Sequence, residues 1–151
     1  MLPTNREFDF ESFKQNDQLG RYCVKQFFKT RGIEAKDNPD RMGVDLKITG
    51  KSSASGRVYK NFGVEVARSP YWNGGLWPFE SVNIPLRKEK FFSSRCLYAL
   101  VNRSGDRIML IDSNKILGSI VREIPTKAKP AGELFYDIPL ERFKAYEIRW
   151  N

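Results

Sequence analysis

The sequence predicts an α/β or α+β domain in which helices flank a mixed or largely antiparallel central sheet. A helical pattern comes first in the chain, and two strand patterns joined by a Gly- and Ser-rich turn follow it. Residues 95–112, RCLYALVNRSGDRIMLID, then have the pattern of a β-hairpin around a turn glycine. A chain of 151 residues with 40% hydrophobic content can bury a core as one domain.

The first predicted element is a helix over about residues 16–31. Leu19, Cys23 and Phe27 recur with the period of a helix. Asp17 is suited to cap its first turn, and Gly32 is suited to end it.

Strands are predicted at residues 44–48 and at about 57–68, after a loop at residues 34–43. The two strands form a hairpin whose flexible turn spans residues 50–56. Residues 81–86 are predicted as a strand and residues 87–92 as a basic turn or short helix. Residues 113–122 are predicted as a helical segment and residues 135–140 as a strand.

The amino-acid composition excludes several kinds of catalysis. The chain has no histidine, which rules out His-containing zinc sites and Ser–His or Cys–His nucleophile pairs. Cys23 and Cys96 lie far apart in apolar segments, so we expect two reduced core cysteines. Hydrolytic chemistry would have to use Asp, Glu, Lys, Arg, Tyr or a hard metal ion.

The charge balance favours a polyanionic partner, most often a nucleic acid. The net charge is +8 and the isoelectric point is about 9.6. The alternative is a basic protein without such a partner. No membrane-spanning apolar run and no secretory signal are visible in the sequence, so we expect a cytoplasmic protein.

Strand alternation places two carboxylates on one side of the predicted hairpin. Val44, Leu46 and Ile48 are expected on one face of the first strand, with Asp45 and Lys47 on the other. On the second strand, Val64 and Val66 are expected opposite Glu65 and Ala67. Adjacent carboxylates repel unless a proton or a cation lies between them, and Mg²⁺ suits such oxygen ligands.

Each carboxylate also has a structural interpretation. Asp45 follows Gly43 and could accept hydrogen bonds from loop amides at the end of the strand. Glu65 could form an ion pair with Lys47.

The predicted helix, GVDLKI (residues 43–48) and FGVEVAR (residues 62–68) together resemble the core of the PD-(D/E)xK, or restriction-endonuclease-like, nuclease superfamily. The resemblance covers roughly residues 16–112 and is to small phage-type or resolvase-like members. It implies the element order helix–strand–strand–strand–helix–strand and cleavage of nucleic acid, expected here to be DNA, with Mg²⁺, for which Mn²⁺ can substitute. It further implies Asp45, Glu65 and the carbonyl of Val66 as metal ligands, and it favours a homodimer.

The chain departs from the family pattern at Ala67, which occupies the position of the family lysine. Arg68 is expected on the opposite face and therefore cannot replace that lysine. One candidate substitute is Lys47, on the same face as Asp45; the other is Lys88 or Lys90 from the following basic segment, of which Lys88 is preferred.

Basic and aromatic residues near this motif are candidates for nucleic-acid contacts. Arg87, Lys88 and Lys90 form a candidate phosphate-binding segment, with a solvated charged turn as the alternative. Lys51 and Arg57 could follow a nucleic-acid backbone from the hairpin turn. Tyr71, Trp72 and Trp77 could stack on unpaired bases or cover the core.

The leading hypothesis from the sequence is a Mg²⁺-dependent nuclease in which Asp45, Glu65 and Lys88 or Lys47 are catalytic. A catalytically inactive nucleic-acid-binding module of the same fold is a second hypothesis, since the family lysine is absent. A protein that binds and inhibits a host enzyme through its basic surface is a third.

Overall fold

The computed structural model describes the backbone of residues 10–150 and the side chains of residues 17–150. The N-terminal stretch that shows no secretory signal lies mostly outside these residues. The helices are α1 (Phe10–Lys29) and α2 (Glu89–Phe92). The strands are β1 (Ile33–Asp37), β2 (Leu46–Lys51), β3 (Val58–Arg68), β4 (Ser81–Pro85), β5 (Cys96–Val101), β6 (Arg107–Asp112), β7 (Ile120–Ile124), β8 (Glu133–Pro139) and β9 (Lys144–Glu147).

Helix α1 begins earlier than predicted and ends two residues sooner. Asp17 therefore lies inside the helix and does not cap it; its carboxylate is 3.3 Å from the guanidinium of Arg21, one turn further on. The predicted stop is confirmed, because Gly32 has a φ of +79° and donates its N–H to the carbonyl of Lys29.

The chain has an α+β architecture with a mixed six-stranded sheet in the order β1-β2-β3-β5-β6-β9. Strands β3 and β5 are parallel, and the other neighbours are antiparallel. A second, three-stranded antiparallel sheet has the order β4-β8-β7. The predicted hairpins β2–β3 and β5–β6 and the predicted strands at β4 and β8 are confirmed.

Each face of the six-stranded sheet buries its own apolar cluster. One cluster joins α1 to the face that carries Leu46, Val64 and Val66. The other cluster joins the opposite face, which carries Tyr98, to α2 and the second sheet. Cys23 lies in the first cluster and Cys96 in the second, both as buried free thiols, as predicted.

Three segments differ from the prediction. Residues 34–37, predicted as part of a loop, belong to β1, an edge strand in which only Ile33 is buried. Residues 113–122, predicted as helical, form a single 3₁₀ turn and then enter β7, whose side chains are mostly exposed. Strand β9 was not predicted; it is a short edge strand with no buried residue. In each case pairing with a neighbouring strand in the folded sheet decides the structure. The sequence of each segment lacks the alternating apolar pattern from which a strand is predicted.

None of the helices in the described residues is long and apolar enough to cross a membrane.

Candidate functional site

The regular backbone pairing between β2 and β3 ends next to Asp45. The last backbone pair at this end joins Leu46 to Val64. Beyond it, Oδ2 of Asp45 accepts a hydrogen bond of 2.8 Å from the N–H of Val66, in place of a strand carbonyl. Because the N–H and C=O of one strand residue point to the same edge, the carbonyl of Val66 also faces the Asp45 side.

The side chain of Val44 lies on the opposite face from the one that strand alternation predicted. Its side chain packs in the second cluster, whereas Leu46 packs in the first, because Val44 precedes the regular part of β2. Gly63 of β3 leaves room for it, since a Cβ at Gly63 would lie 2.9 Å from Cγ2 of Val44.

Glu65 lies in the middle of β3 and is only 4% exposed. It pairs in register with Tyr98 on β5 and therefore faces the second cluster. Its Oε2 accepts a hydrogen bond of 2.8 Å from Nζ of Lys88, in the 3₁₀ turn before α2. Its Oε1 is buried and has no hydrogen-bond partner among the described residues. A buried carboxylate oxygen without a partner is costly, so a further ligand at this oxygen would stabilise the site.

The electrostatics of Glu65 place Asp45 and Lys88 beside the same carboxyl group. Burial raises the pKa of Glu65 to about 7; the Lys88 ammonium opposes this shift, and the nearby charge of Asp45 adds to it. The ammonium also lies 5.9 Å from the centre of the Tyr98 ring. Burial, followed by the charge of Glu65, raises the pKa of that tyrosine. Nothing in the apolar pattern of β5 indicated that Tyr98 would lie under the site.

Raising the pH without a divalent metal is expected to destabilise the wild type relative to Glu65→Gln. Glu65 ionises near 4.5 when unfolded but near 7 when folded. The stabilisation of the folded state by protonated Glu65 is therefore fully present below the unfolded pKa. It is lost as the pH rises through the folded pKa. The two free energies of unfolding should diverge by about 3 kcal/mol, as measured by urea unfolding in EDTA. Glu34→Gln, on the exposed face of β1, should follow the wild type; parallel curves for Glu65→Gln and wild type would contradict the raised pKa.

The donor set fits a hard divalent cation. Asp45 and Glu65 offer carboxylate oxygens, one of them buried and unpartnered, and the Val66 carbonyl faces the same place. The described side chains contain no cluster of three or more carboxylate, thiol or imidazole groups suited to a metal. A two-carboxylate site of this kind leaves most ligand positions to water and substrate oxygens, as Mg²⁺ prefers.

Of the two candidate lysines, the structure brings Lys88 to the carboxylates. Lys47 is half-buried on β2, opposite Gly63, and the ion pair between Glu65 and Lys47 that the sequence left open is replaced by the pair with Lys88. Ala67 is half-buried and packs against the second cluster. Arg68 lies on the α1 side, as predicted, with Nη2 2.5 Å from the carbonyl of Arg103.

The candidate phosphate-binding residues fall into two groups. Arg87 and Lys90 flank Lys88 and are exposed; Arg87 is 3.3 Å from Glu133, and the Lys90 ammonium lies over the Phe91 ring. A second group lies at the far end of the β2–β3 hairpin, where Lys51 pairs in register with Val58 and where Arg57 is located. Seven strand residues separate Val58 from Glu65, a distance of roughly 23 Å, so this group is remote from the carboxylates.

The structure corrects the assignment of Trp72 as a base-stacking residue. Its side chain is 1% exposed, its Nε1 donates to the carbonyl of Gly75 at 3.0 Å, and its ring packs edge-to-face on Trp77. A ring buried on all sides offers no face to a nucleobase. Tyr71, its neighbour, is 75% exposed.

Comparison of the chain with protein-family models, with curated proteins and with solved structures gives no match.

Proposed function

We propose that this protein is a metal-dependent nuclease with a restriction-endonuclease-like core that hydrolyses phosphodiester bonds of DNA with Mg²⁺ or Mn²⁺. One observation carries the proposal: the buried carboxyl group of Glu65 accepts a hydrogen bond from the Lys88 ammonium and is near enough to the Asp45 carboxylate for that charge to raise its pKa. The order of elements supports it. Helix α1, the antiparallel strands β1 to β3, the short α2 and the parallel strand β5 follow the order that the resemblance implies, with β4 of the second sheet inserted between β3 and α2.

Asp45, Glu65 and the Val66 carbonyl would hold the metal ion. When bound, such an ion supplies an activated water and neutralises charge on the scissile phosphate. Glu65 must then be ionised, and the Lys88 ammonium favours the ionised form. With its ammonium fixed on Glu65, Lys88 would orient the attacking water or contact the scissile phosphate, which is the role of the lysine missing at Ala67.

The exposed side chains of Arg87 and Lys90 would contact the phosphates on either side of the cleaved bond. Such contacts fix the position of the DNA without reading its sequence. A chain of this kind has one set of carboxylates, so cutting both strands of a duplex would use two copies, as in a homodimer.

Cleavage assays test the proposal directly. We expect the purified protein to cut at least one of a panel of supercoiled, single-stranded and branched DNA with Mg²⁺ or Mn²⁺, and to cut none in EDTA. Asp45→Asn should bind DNA without cutting it, because a carbonyl and an amide replace the carboxylate that would hold the metal. Glu34→Gln, an exposed carboxylate of β1, serves as the matched control and should cut like the wild type.

A DNA-binding module without catalysis is the second candidate, favoured by Ala67 at the position of the family lysine. Its signature would be wild-type protein that binds DNA with a steep salt dependence yet cuts no substrate with either metal. Absence of DNA binding even at low salt would contradict both functions and leave the inhibitor hypothesis.

A further inference from the structure

A groove of about 790 Å³ lies beside the basic segment that contains Lys88. Tyr71 and the loop of residues 125–130 between β7 and β8 line it. Glu133, at the start of β8, also lines the groove. A cavity of this size is in the range of small-molecule sites and can hold a nucleobase with its sugar.

The backbone that carries the exposed ring of Tyr71 is fixed by hydrogen bonds before and after this residue. Ser69 donates its N–H to the carbonyl of Val101 on β5, and its hydroxyl accepts the N–H of Tyr71. On the other side, the carbonyl of the buried Trp72 accepts a hydrogen bond of 2.7 Å from the N–H of Arg103. The backbone that carries the exposed ring is therefore preorganised, which lowers the conformational entropy lost on binding.

The loop of residues 125–130 is also fixed by hydrogen bonds, and it carries positive charge. The N–H of Thr126 donates to the carbonyl of Lys129, and the N–H of Lys129 donates to the hydroxyl of Thr126. Pro125 and Pro130 restrict the ends of this turn. Lys127, on the groove, is exposed and offers an ammonium to a phosphate.

The groove is joined to the carboxylate site through one ion pair. Nε of Arg87 lies 3.3 Å from Oε2 of Glu133, whose side chain is 15% exposed. The next residue in the chain is Lys88, whose ammonium binds Glu65. Arg87 and Lys88 are neighbours in the chain, with Cα atoms about 3.8 Å apart, so one short basic segment contacts both a residue of the groove and the carboxylate site.

We propose that this groove binds an unpaired nucleobase of the DNA, stacked on Tyr71, next to the phosphate held at Glu65 and Lys88. The proposal rests on the proposed nuclease function and narrows its substrate to DNA with at least one unpaired nucleotide at the cleavage site. Aromatic rings stack on any base whose face is free, whereas a base inside a duplex has both faces covered. Lys127, which lines the groove, and Arg87, which pairs with Glu133, would receive the adjoining phosphates.

Binding without cleavage tests the groove. The probes are a hairpin DNA with one bulged 2-aminopurine and the same hairpin fully paired, titrated in EDTA at fixed salt. We expect the wild type to bind the bulged hairpin at least about tenfold more tightly and to quench the fluorescence of the bulged base by stacking. Tyr71→Ala should remove the preference and the quenching, and Tyr71→Phe, which keeps the ring, should keep both. Equal affinity of the wild type for both hairpins, or an unchanged preference in Tyr71→Ala, would overturn the proposal.

Tyr22 provides the matched control. It is an exposed tyrosine on α1, on the other face of the six-stranded sheet, and Tyr22→Ala should keep the preference for the bulged hairpin. Loss of the preference in both tyrosine variants would overturn the assignment to the groove.

The groove and the nuclease function fail separately. A wild type that prefers the bulge through Tyr71 but never cuts would support the groove and contradict the nuclease. A wild type that cuts paired and bulged DNA equally, and does so unchanged in Tyr71→Ala, would support the nuclease and overturn the groove.

Discussion

Under the proposed nuclease function, replacing Lys88 with methionine is expected to lower the rate of metal-dependent DNA cleavage by about 10²–10⁴-fold, the usual contribution of a positioned proton-transfer or charged group. Methionine keeps an unbranched apolar stem but removes the ammonium that lies 2.8 Å from Glu65. The affinity for DNA should fall only slightly, since Arg87 and Lys90 remain. Single-turnover cleavage at saturating DNA separates these two effects.

The pH dependence of Lys88→Met distinguishes a role at Glu65 from general damage. Because the ammonium lowers the pKa of Glu65, its loss should raise that pKa further above about 7. If cleavage needs the ionised carboxylate, the acid side of the pH–rate profile should move to higher pH. A uniformly reduced profile with an unchanged acid limb would contradict this role.

Two further lysine variants serve as comparisons. Lys47→Met should reduce cleavage far less than Lys88→Met, because Lys88 forms the ion pair with Glu65. Lys29→Met, in the last turn of α1, should cut like the wild type. The reverse order of Lys47 and Lys88 would assign the catalytic ammonium to β2 and contradict the geometry described above.

The sequence predicted that Asp45 and Glu65 meet, but not how. Alternation places Glu65 correctly within β3, whereas Asp45 precedes β2 and lies outside its alternation. The contact of Asp45 with the N–H of Val66 depends on where β2 ends, and the reversed orientation of Val44 depends on the space above Gly63. Neither feature can be recognised from the pattern of apolar residues in the sequence.

The choice between Lys47 and Lys88 required tertiary structure. Glu65 and Lys88 are 23 residues apart, and the crossover from β3 to β5 decides whether they meet. The sequence showed a basic segment after the carboxylate strands but contained no information on its direction. The edge strand β1 was missed for a related reason: its charged side chains protect an exposed edge and hide the strand pattern.

Trp72 and Tyr71 show the same limit at adjacent positions. Both are aromatic residues in a Gly-rich loop, so composition treats them alike. The ring of Trp72 enters the second cluster, while that of Tyr71 remains in solvent. The contrast makes the pair a direct test of which ring supports the fold and which contacts DNA.

Trp72→Ala is expected to lower the free energy of unfolding by about 3–5 kcal/mol, the usual cost of truncating a buried large aromatic side chain. The substitution opens a cavity, removes the edge-to-face contact with Trp77 and leaves the Gly75 carbonyl without its indole donor. Urea unfolding measures the change. Tyr71→Ala should change the same quantity by no more than about 0.5 kcal/mol, as exposed positions do.

Trp72→Phe separates the two contributions. It retains most of the buried apolar area but loses the hydrogen bond to Gly75, so it should cost about 1–3 kcal/mol, less than the alanine variant. Because Tyr71 stands on the backbone that Trp72 anchors, Trp72→Ala should also weaken binding of the bulged hairpin. A Trp72→Ala protein that kept its full stability while losing only the affinity for unpaired DNA would show that Trp72, and not Tyr71, stacks on the base.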